Sequence, residues 1–224
     1  YNVFDKKKLS MKSMMEAVES NFKDQEQLRY DLIFETPKYG NDDDYADKET
    51  QRILNAFYEC INGKTTARGG VFRINLLPTT SRVYFGSVIN ALPDGRLAEE
   101  PLSEGISPVQ GADRKGPTAV VKSAAKIDHI KTGGSLLNQK FSPAFFQDEA
   151  GMKKFISLIR SYFKLDGHHI QFNVVNADTL RKAQKNPEKY EDLIVRVAGY
   201  SDYFNDLGEE LQNEIIKRTE HETL

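Results

Sequence analysis

LIVRVAGYSDYF, residues 193–204, is an apolar strand that runs into a glycine and then into aromatic and polar residues. Leu193 to Val197 form the strand, and Gly199 stands where a buried strand turns sharply at its tip. Taken alone, such a glycine reads as a turn residue that needs positive φ. Immediately upstream the chain alternates between two periods. LLNQKF (136–141) reads as strand, GMKKFISLIRSYF (151–163) as helix, HHIQFNVV (168–175) as strand and NADTLRKAQKNPEKY (176–190) as helix. A last helix is expected near Glu209 to Thr219. This alternation predicts an α/β fold with a barrel-like sheet.

Farther upstream, Met11, Met14, Met15, Val18 and Phe22 recur at helical spacing, with Ser10 placed to cap the first turn. Leu28, Leu32 and Ile33 mark a second helix that runs to Pro37, and PKYGNDDDYAD reads as a polar connection. A third helix carries the stripe Ile53, Leu54, Phe57, Cys60 and Ile61, with Gly63 at its C-terminal cap. VFRINLLP (71–78) and RVYFGSVI (82–89) are β-branched and aromatic runs, and both read as strands. Residues 93–118 show little periodicity, which marks a long irregular segment as a candidate functional region. Pro117 then opens the helix TAVVKSAAKIDHI, which Gly133 and Gly134 stop.

The 224 residues hold 31 Lys plus Arg, 33 Asp plus Glu and one cysteine, for a formal charge of −2. Near-neutral charge gives no global attraction to nucleic acid or to an anionic membrane. No apolar run approaches the ~18 residues that a membrane span needs, and the N-terminus lacks the apolar region of a secretory signal. A lone cysteine excludes an internal disulfide. A reducing, cytoplasmic setting is therefore expected. The chain begins at Tyr1, in the lead-in to an amphipathic helix, and so reads as a fragment or a separated C-terminal half.

Several motifs read as structural. GADRKGPT (111–118) has glycines at a P-loop-like interval, but Pro117 stands where the phosphate-binding lysine would be. Asp42, Asp43 and Asp44 lack the glycine and distal glutamate of a calcium loop and suit a solvated helix start. His168 and His169 are adjacent, so from a regular strand they point to opposite faces and cannot share a metal. His129 and His221 read as satisfied structural or surface histidines. Cys60, on the apolar stripe of its helix, is expected to be a small buried hydrophobe rather than a nucleophile or radical carrier.

RVAGYS, Arg196 to Ser201, resembles the signature that carries the radical in glycyl radical enzymes. Residues 69–88, 92–143, 158–175 and 192–204 resemble the C-terminal third of that family in the same order, so the resemblance covers nearly the whole chain. It is most similar to the branch of glycerol, propane-1,2-diol and hydroxyproline dehydratases; pyruvate formate-lyase has serine before the glycine. The resemblance implies the C-terminal portion of a ten-stranded α/β barrel together with the glycine radical domain. Residues 1–100 would belong to the barrel and 101–224 to the radical domain, with the radical loop at 196–201.

The chemistry suits glycine. Without a side chain the Cα can flatten to a trigonal centre, and the flanking amide nitrogen and carbonyl delocalise the unpaired electron. The strand before Gly199 would place the tip in a dry interior, because water and oxygen destroy an exposed radical. The resemblance implies no bound cofactor. A radical-SAM activating enzyme, using S-adenosylmethionine and a 4Fe–4S cluster, would remove one Cα hydrogen after recognising Arg196, Val197, Ala198, Tyr200 and Ser201. The Gly199 radical would then take hydrogen from a cysteine of a Gly-Cys-x-Glu loop, and the thiyl would attack a small-molecule substrate while a carboxylate helps water leave. That loop is absent from this sequence, since Cys60 follows Glu59 and precedes Ile61. Tyr84, on LLPTTSRVYFG (76–86), is the pocket candidate, and a homodimer in an anaerobic bacterial cytoplasm or microcompartment is expected. Other readings are choline trimethylamine-lyase, arylacetate decarboxylase or isethionate sulfite-lyase, a stand-alone spare part that restores the radical of a damaged enzyme, or an inactive paralogue.

Overall fold

A computed structural model describes residues 1–77, 79–218 and 220–221. Its helices are α1 Met11–Glu19, α2 Glu26–Phe34, α3 Asp44–Ile61, α4 Ser81–Val88, α5 Pro117–Ala125, α6 Glu149–Lys164, α7 Ala177–Lys185 and α8 Glu209–Lys217. The strands are β1 Leu137–Phe141, β2 Ile170–Val174, β3 Ile194–Arg196, β4 Ser201–Tyr203 and β5 Glu220–His221. The chain packs as two compact units, Tyr1–Lys38 with Ser81–Leu102, and Tyr39–Thr80 with Ser103–Leu224. Residues 39–80 thus pack with the part of the chain expected to hold the radical. Among the described residues no helix is long and apolar enough to cross a membrane.

In the first unit, the Ser10 hydroxyl accepts from the Ser13 N–H at 3.0 Å and caps α1 as its position predicts. Met14, Ala17, Phe22, Leu32 and Ala91 form its core. RVYFGSVI, expected as a strand, is instead helix α4 up to Val88. Its aromatic and β-branched residues suggested a strand, but Tyr84, Phe85 and Val88 point outward and the buried pair is Arg82 and Gly86, four apart on one helical face. Gly86 lies against the Glu100 main chain, which leaves no room for a Cβ. Arg96 consolidates this approach by donating to the carbonyls of Gly86, Asn90 and Glu100. Among its described residues LLPTTSRVYFG holds helix α4 and a single parallel bridge at Leu76 rather than the expected strand; its Pro78 lies outside the described residues, as does the expected helix end at Thr219.

In the second unit, β1 and β2 pair in parallel from Leu137↔Ile170 to Phe141↔Val174, and β5 lies parallel on the other side of β1. The parallel pair requires a crossover, which α6 supplies. Among the described residues these parallel strands form one three-stranded sheet, and β3 with β4 forms a separate two-stranded one. The described part of VFRINLLP pairs at isolated bridges, Val71 with Thr65 and Leu76 with Ser135: Leu76 N–H donates to the Gly134 carbonyl at 2.7 Å and Leu136 N–H to the Leu76 carbonyl at 3.1 Å. Phe141 is fully buried among Phe145, Phe155 and Phe172 in one core. A second core, with Leu180, Val195, Val197, Phe204 and Ile215, lies under β3 and joins α7 to α8.

The acidic run caps and ties α3. Asp43 accepts from the N–H groups of Tyr45 and Ala46, and the Lys126 ammonium reaches Asp42, Asp44 and the buried Asp47 at 2.9, 3.0 and 2.7 Å. Lys126→Ala is expected to cost about 2–3 kcal/mol, because it strips the charged partner from a buried carboxylate; an unchanged urea midpoint would count against this. Hydrogen bonds from Lys126, and for Asp42 also from Lys122, hold the Asp42 and Asp44 carboxyls below the ordinary value of 3.8. The folded values lie below the unfolded one, so this stabilisation is complete above about pH 4 and is lost as pH falls farther. Acid unfolding curves of Lys126→Ala should lose the Asp44 part of that component and keep the part that Lys122 gives Asp42.

Three other features are structural. The N–H groups of Arg114 and Lys115 donate to the Asn41 side-chain oxygen at 2.8 and 3.0 Å, so the loop before α5 spends these donors internally rather than on a phosphate. His129 is buried between the Ser135 hydroxyl and the Ala124 carbonyl, and burial holds its pKa below the usual value. Cys60 is exposed, contrary to the expectation of burial: on α3 the inward position is Leu54, while Ile53 and Phe57 also face outward.

Candidate functional site

β3 and β4 form an antiparallel hairpin with Arg196 opposite Ser201. The Val197 N–H donates to the Tyr200 carbonyl at 2.8 Å, so Ala198 and Gly199 are its two-residue loop. Gly199 has φ +81°, the value of the second central position in a type II turn, where a side chain is strained. An ideal Cβ built on Gly199 meets nothing within 4 Å. The glycine is thus required by backbone angle and not by crowding. Val195, Val197 and Ala198 are buried, whereas Gly199, Tyr200 and Ser201 are exposed in this chain. The dry interior expected around the tip is therefore not formed by these residues.

The hairpin is fastened by side chains that local sequence reading had not singled out. On β2, Gln171 and Asn173 are buried two residues apart on one face. Asn173 brackets the Arg196 main chain, accepting from its N–H and donating to its carbonyl, both at 2.7 Å. Gln171 Oε1 accepts from Arg196 Nε at 2.7 Å. From the end of α8, Arg218 donates to the carbonyls of Val197 at 2.8 Å and Arg196 at 3.2 Å. Two amides at alternate positions of an apolar strand are the signal that could have marked β2.

Arg218 is itself held by Glu214, with contacts of 3.0 and 3.2 Å, and by Glu104 at 3.5 Å. Burial alone would weaken the guanidinium, but the two carboxylates outweigh it and raise the Arg218 pKa above the ordinary arginine value. Glu104 also accepts from Asn138 Nδ2 at 2.6 Å, and Asn138 Oδ1 accepts from Gln171 Nε2. One continuous polar chain therefore runs from Glu104 through Asn138 and Gln171 to Arg196. Beside it a partly open pocket of about 30 Å³, lined in part by Glu104, Asn138, Lys140, Arg218 and His221, has room for a water.

Arg196 closes on the glycine itself. Its Nη2 donates to the Gly199 carbonyl at 3.1 Å and its Nη1 to the Ser201 hydroxyl at 3.2 Å. The structure thus brings Arg196, Val197, Ala198, Gly199, Tyr200 and Ser201 together as one turn. Tyr84 is 65% exposed on α4 and belongs to the other compact unit. Chemically, the turn offers a side-chain-free Cα between two amides, with a guanidinium on one carbonyl and main-chain bonds on either side.

Residues 102–205 match the family model described as glycine radical, and residues 1–86 match the model described as pyruvate formate lyase-like. The chain is 56% identical over 220 residues to trans-4-hydroxy-L-proline dehydratase of Clostridioides difficile, covering 98% of this chain and 28% of that protein. It superposes on the crystal structure of hydroxyproline dehydratase from the same organism, with substrate bound, at TM-score 0.96 and 55% identity, covering 100% of this chain and 28% of that one. Isethionate sulfite-lyase of Bilophila wadsworthia is 44% identical across 99% of this chain and 27% of its own length. The chain therefore spans little more than a quarter of the length of these relatives.

Proposed function

Because the chain belongs to the glycyl radical enzyme family, we propose that it is the radical-storing part of a lyase that eliminates water from a diol or hydroxylated substrate. The carrying observation is Gly199 at the hairpin tip, with φ +81° and open space around its Cα. Glycerol, propane-1,2-diol and hydroxyproline are the substrates proposed, with hydroxyproline favoured by the 56% identity to a hydroxyproline dehydratase. The 44% identity to isethionate sulfite-lyase keeps a carbon–sulfur lyase as the second reading.

In this reading a radical-SAM activating enzyme removes one hydrogen atom from the Gly199 Cα. The exposed residues Tyr200 and Ser201, with Arg196, Val197 and Ala198 behind them, form the segment it engages. The stored radical then takes a hydrogen atom from a cysteine on polypeptide outside these residues. The resulting thiyl starts elimination of water with help from a carboxylate, and the hydrogen returns at the end of the cycle. The same polypeptide covers the exposed face of Gly199 and excludes oxygen. Residues 101–224 are the radical domain and 1–100 the pyruvate formate lyase-like part. Tyr84 is retained as an exposed aromatic open to a pocket formed with the rest of the protein, and a homodimer in an anaerobic cytoplasm completes the reading.

The test is anaerobic activation of the whole natural protein by its activating enzyme with S-adenosylmethionine, followed by EPR, air exposure and intact mass. A carbon-centred doublet, and chain cleavage in air at Gly199, are expected. A silent, uncleaved protein after treatment with an activating enzyme of proven competence overturns the reading.

A further inference from the structure

We propose that Gln171 is a positioning residue for the radical: it holds the Arg196 guanidinium on the Gly199 carbonyl, and the hydrogen bond so held stabilises the glycyl radical more than the closed-shell glycine. The inference rests on the radical reading of Gly199 given above. Gln171 is 6% exposed, and its amide has one sense. Its Nε2 faces Asn138 Oδ1, because Asn138 Nδ2 is engaged by Glu104, and this leaves Oε1 for Arg196 Nε at 2.7 Å. A guanidinium is planar with its donors in a rigid fork. Fixing Nε therefore aims Nη2 at the Gly199 carbonyl and Nη1 at Ser201.

The partners of this guanidinium among the described residues, Gln171, Gly199 and Ser201, are all neutral. Its charge is not spent on a carboxylate, so the Gly199 carbonyl receives a charge-assisted bond. When the Cα loses a hydrogen atom, the amide nitrogen pushes electron density through the Cα toward the carbonyl, and negative charge builds on the Gly199 oxygen. The bond from Arg196 strengthens at that moment, and only such a difference between the two states stabilises one of them. No proton or electron leaves Arg196 in the process; the atom removed from the Cα on activation is the one restored when the radical is quenched by hydrogen transfer. Docking of the hairpin does not need this contact, since Asn173 and Arg218 already hold the main chain of Arg196 and Val197.

The whole natural protein, labelled with ¹⁵N in the arginine guanidinium and activated anaerobically, would be examined by ENDOR on the radical. A ¹⁵N coupling and an exchangeable-proton coupling are expected in the wild type. In Gln171→Leu both should weaken or vanish, and the radical should decay about tenfold faster without oxygen. Asn173→Ala, which loosens docking but leaves the guanidinium in place, should keep the coupling. Absence of any guanidinium ¹⁵N coupling in the wild-type radical overturns the proposal, and this arm decides even if Gln171→Leu accepts no radical. Equal couplings and lifetimes in Gln171→Leu and wild type overturn it as well. A wild type with no radical signal overturns the radical reading itself, which the first experiment registers separately.

Discussion

Gly199→Ala is expected to abolish the EPR signal, the air-induced cleavage and the turnover of the whole protein, the last by more than ~10³-fold, while the fold survives. The contrast between function and stability is what makes the variant informative. A Cβ at this position meets no atom of the described residues within 4 Å, so none of these is displaced. The cost is that of a side chain at φ +81°, about 1–2 kcal/mol, or a melting shift of a few degrees. Calorimetry or circular dichroism would register that small loss, and EPR the complete one. An alanine variant that keeps a wild-type doublet would return Gly199 to the role of a turn residue.

Arg218→Leu should produce the largest loss of stability, about 3–5 kcal/mol. Two effects add. Glu104 and Glu214 are 4% and 2% exposed, and without the guanidinium two buried carboxylates lose their shared cation. The carbonyls of Arg196 and Val197 lose donors at the same time, which loosens the hairpin from α8. Urea denaturation would show a midpoint lowered by more than 1 M at the usual slope for small proteins. Adding Glu104→Gln and Glu214→Gln to Arg218→Leu should recover a substantial part of the loss, because breaking an ion cluster costs more than replacing it whole. A midpoint unchanged by Arg218→Leu would show that the cluster does not hold the hairpin.

The helices α1, α3 and α6, the strands β1 and β2, and the cap at Ser10 were legible because each is written in local spacing and local hydrogen bonding. The misreadings share a cause. RVYFGSVI has the composition of a strand, yet its buried residues are Arg82 and Gly86, and the reason for the glycine is the main chain of Glu100, fourteen positions away. Cys60 lies on an apolar stripe whose outward side is exposed in this chain.

By itself the sequence determined the alternating elements, the glycine at the end of an apolar strand and, through RVAGYS, the family. These are short-range properties: a period, a turn residue, a contiguous motif. Only the tertiary structure decided that Gln171 and Asn173 hold Arg196, that Arg218 holds two carbonyls of the hairpin, and that Gly199 is open in this chain. Those contacts join residues 21 to 25 positions apart, between polar groups whose pairing no local pattern encodes. A buried amide or charge is tolerable only when matched, and the matching is a property of the packed chain.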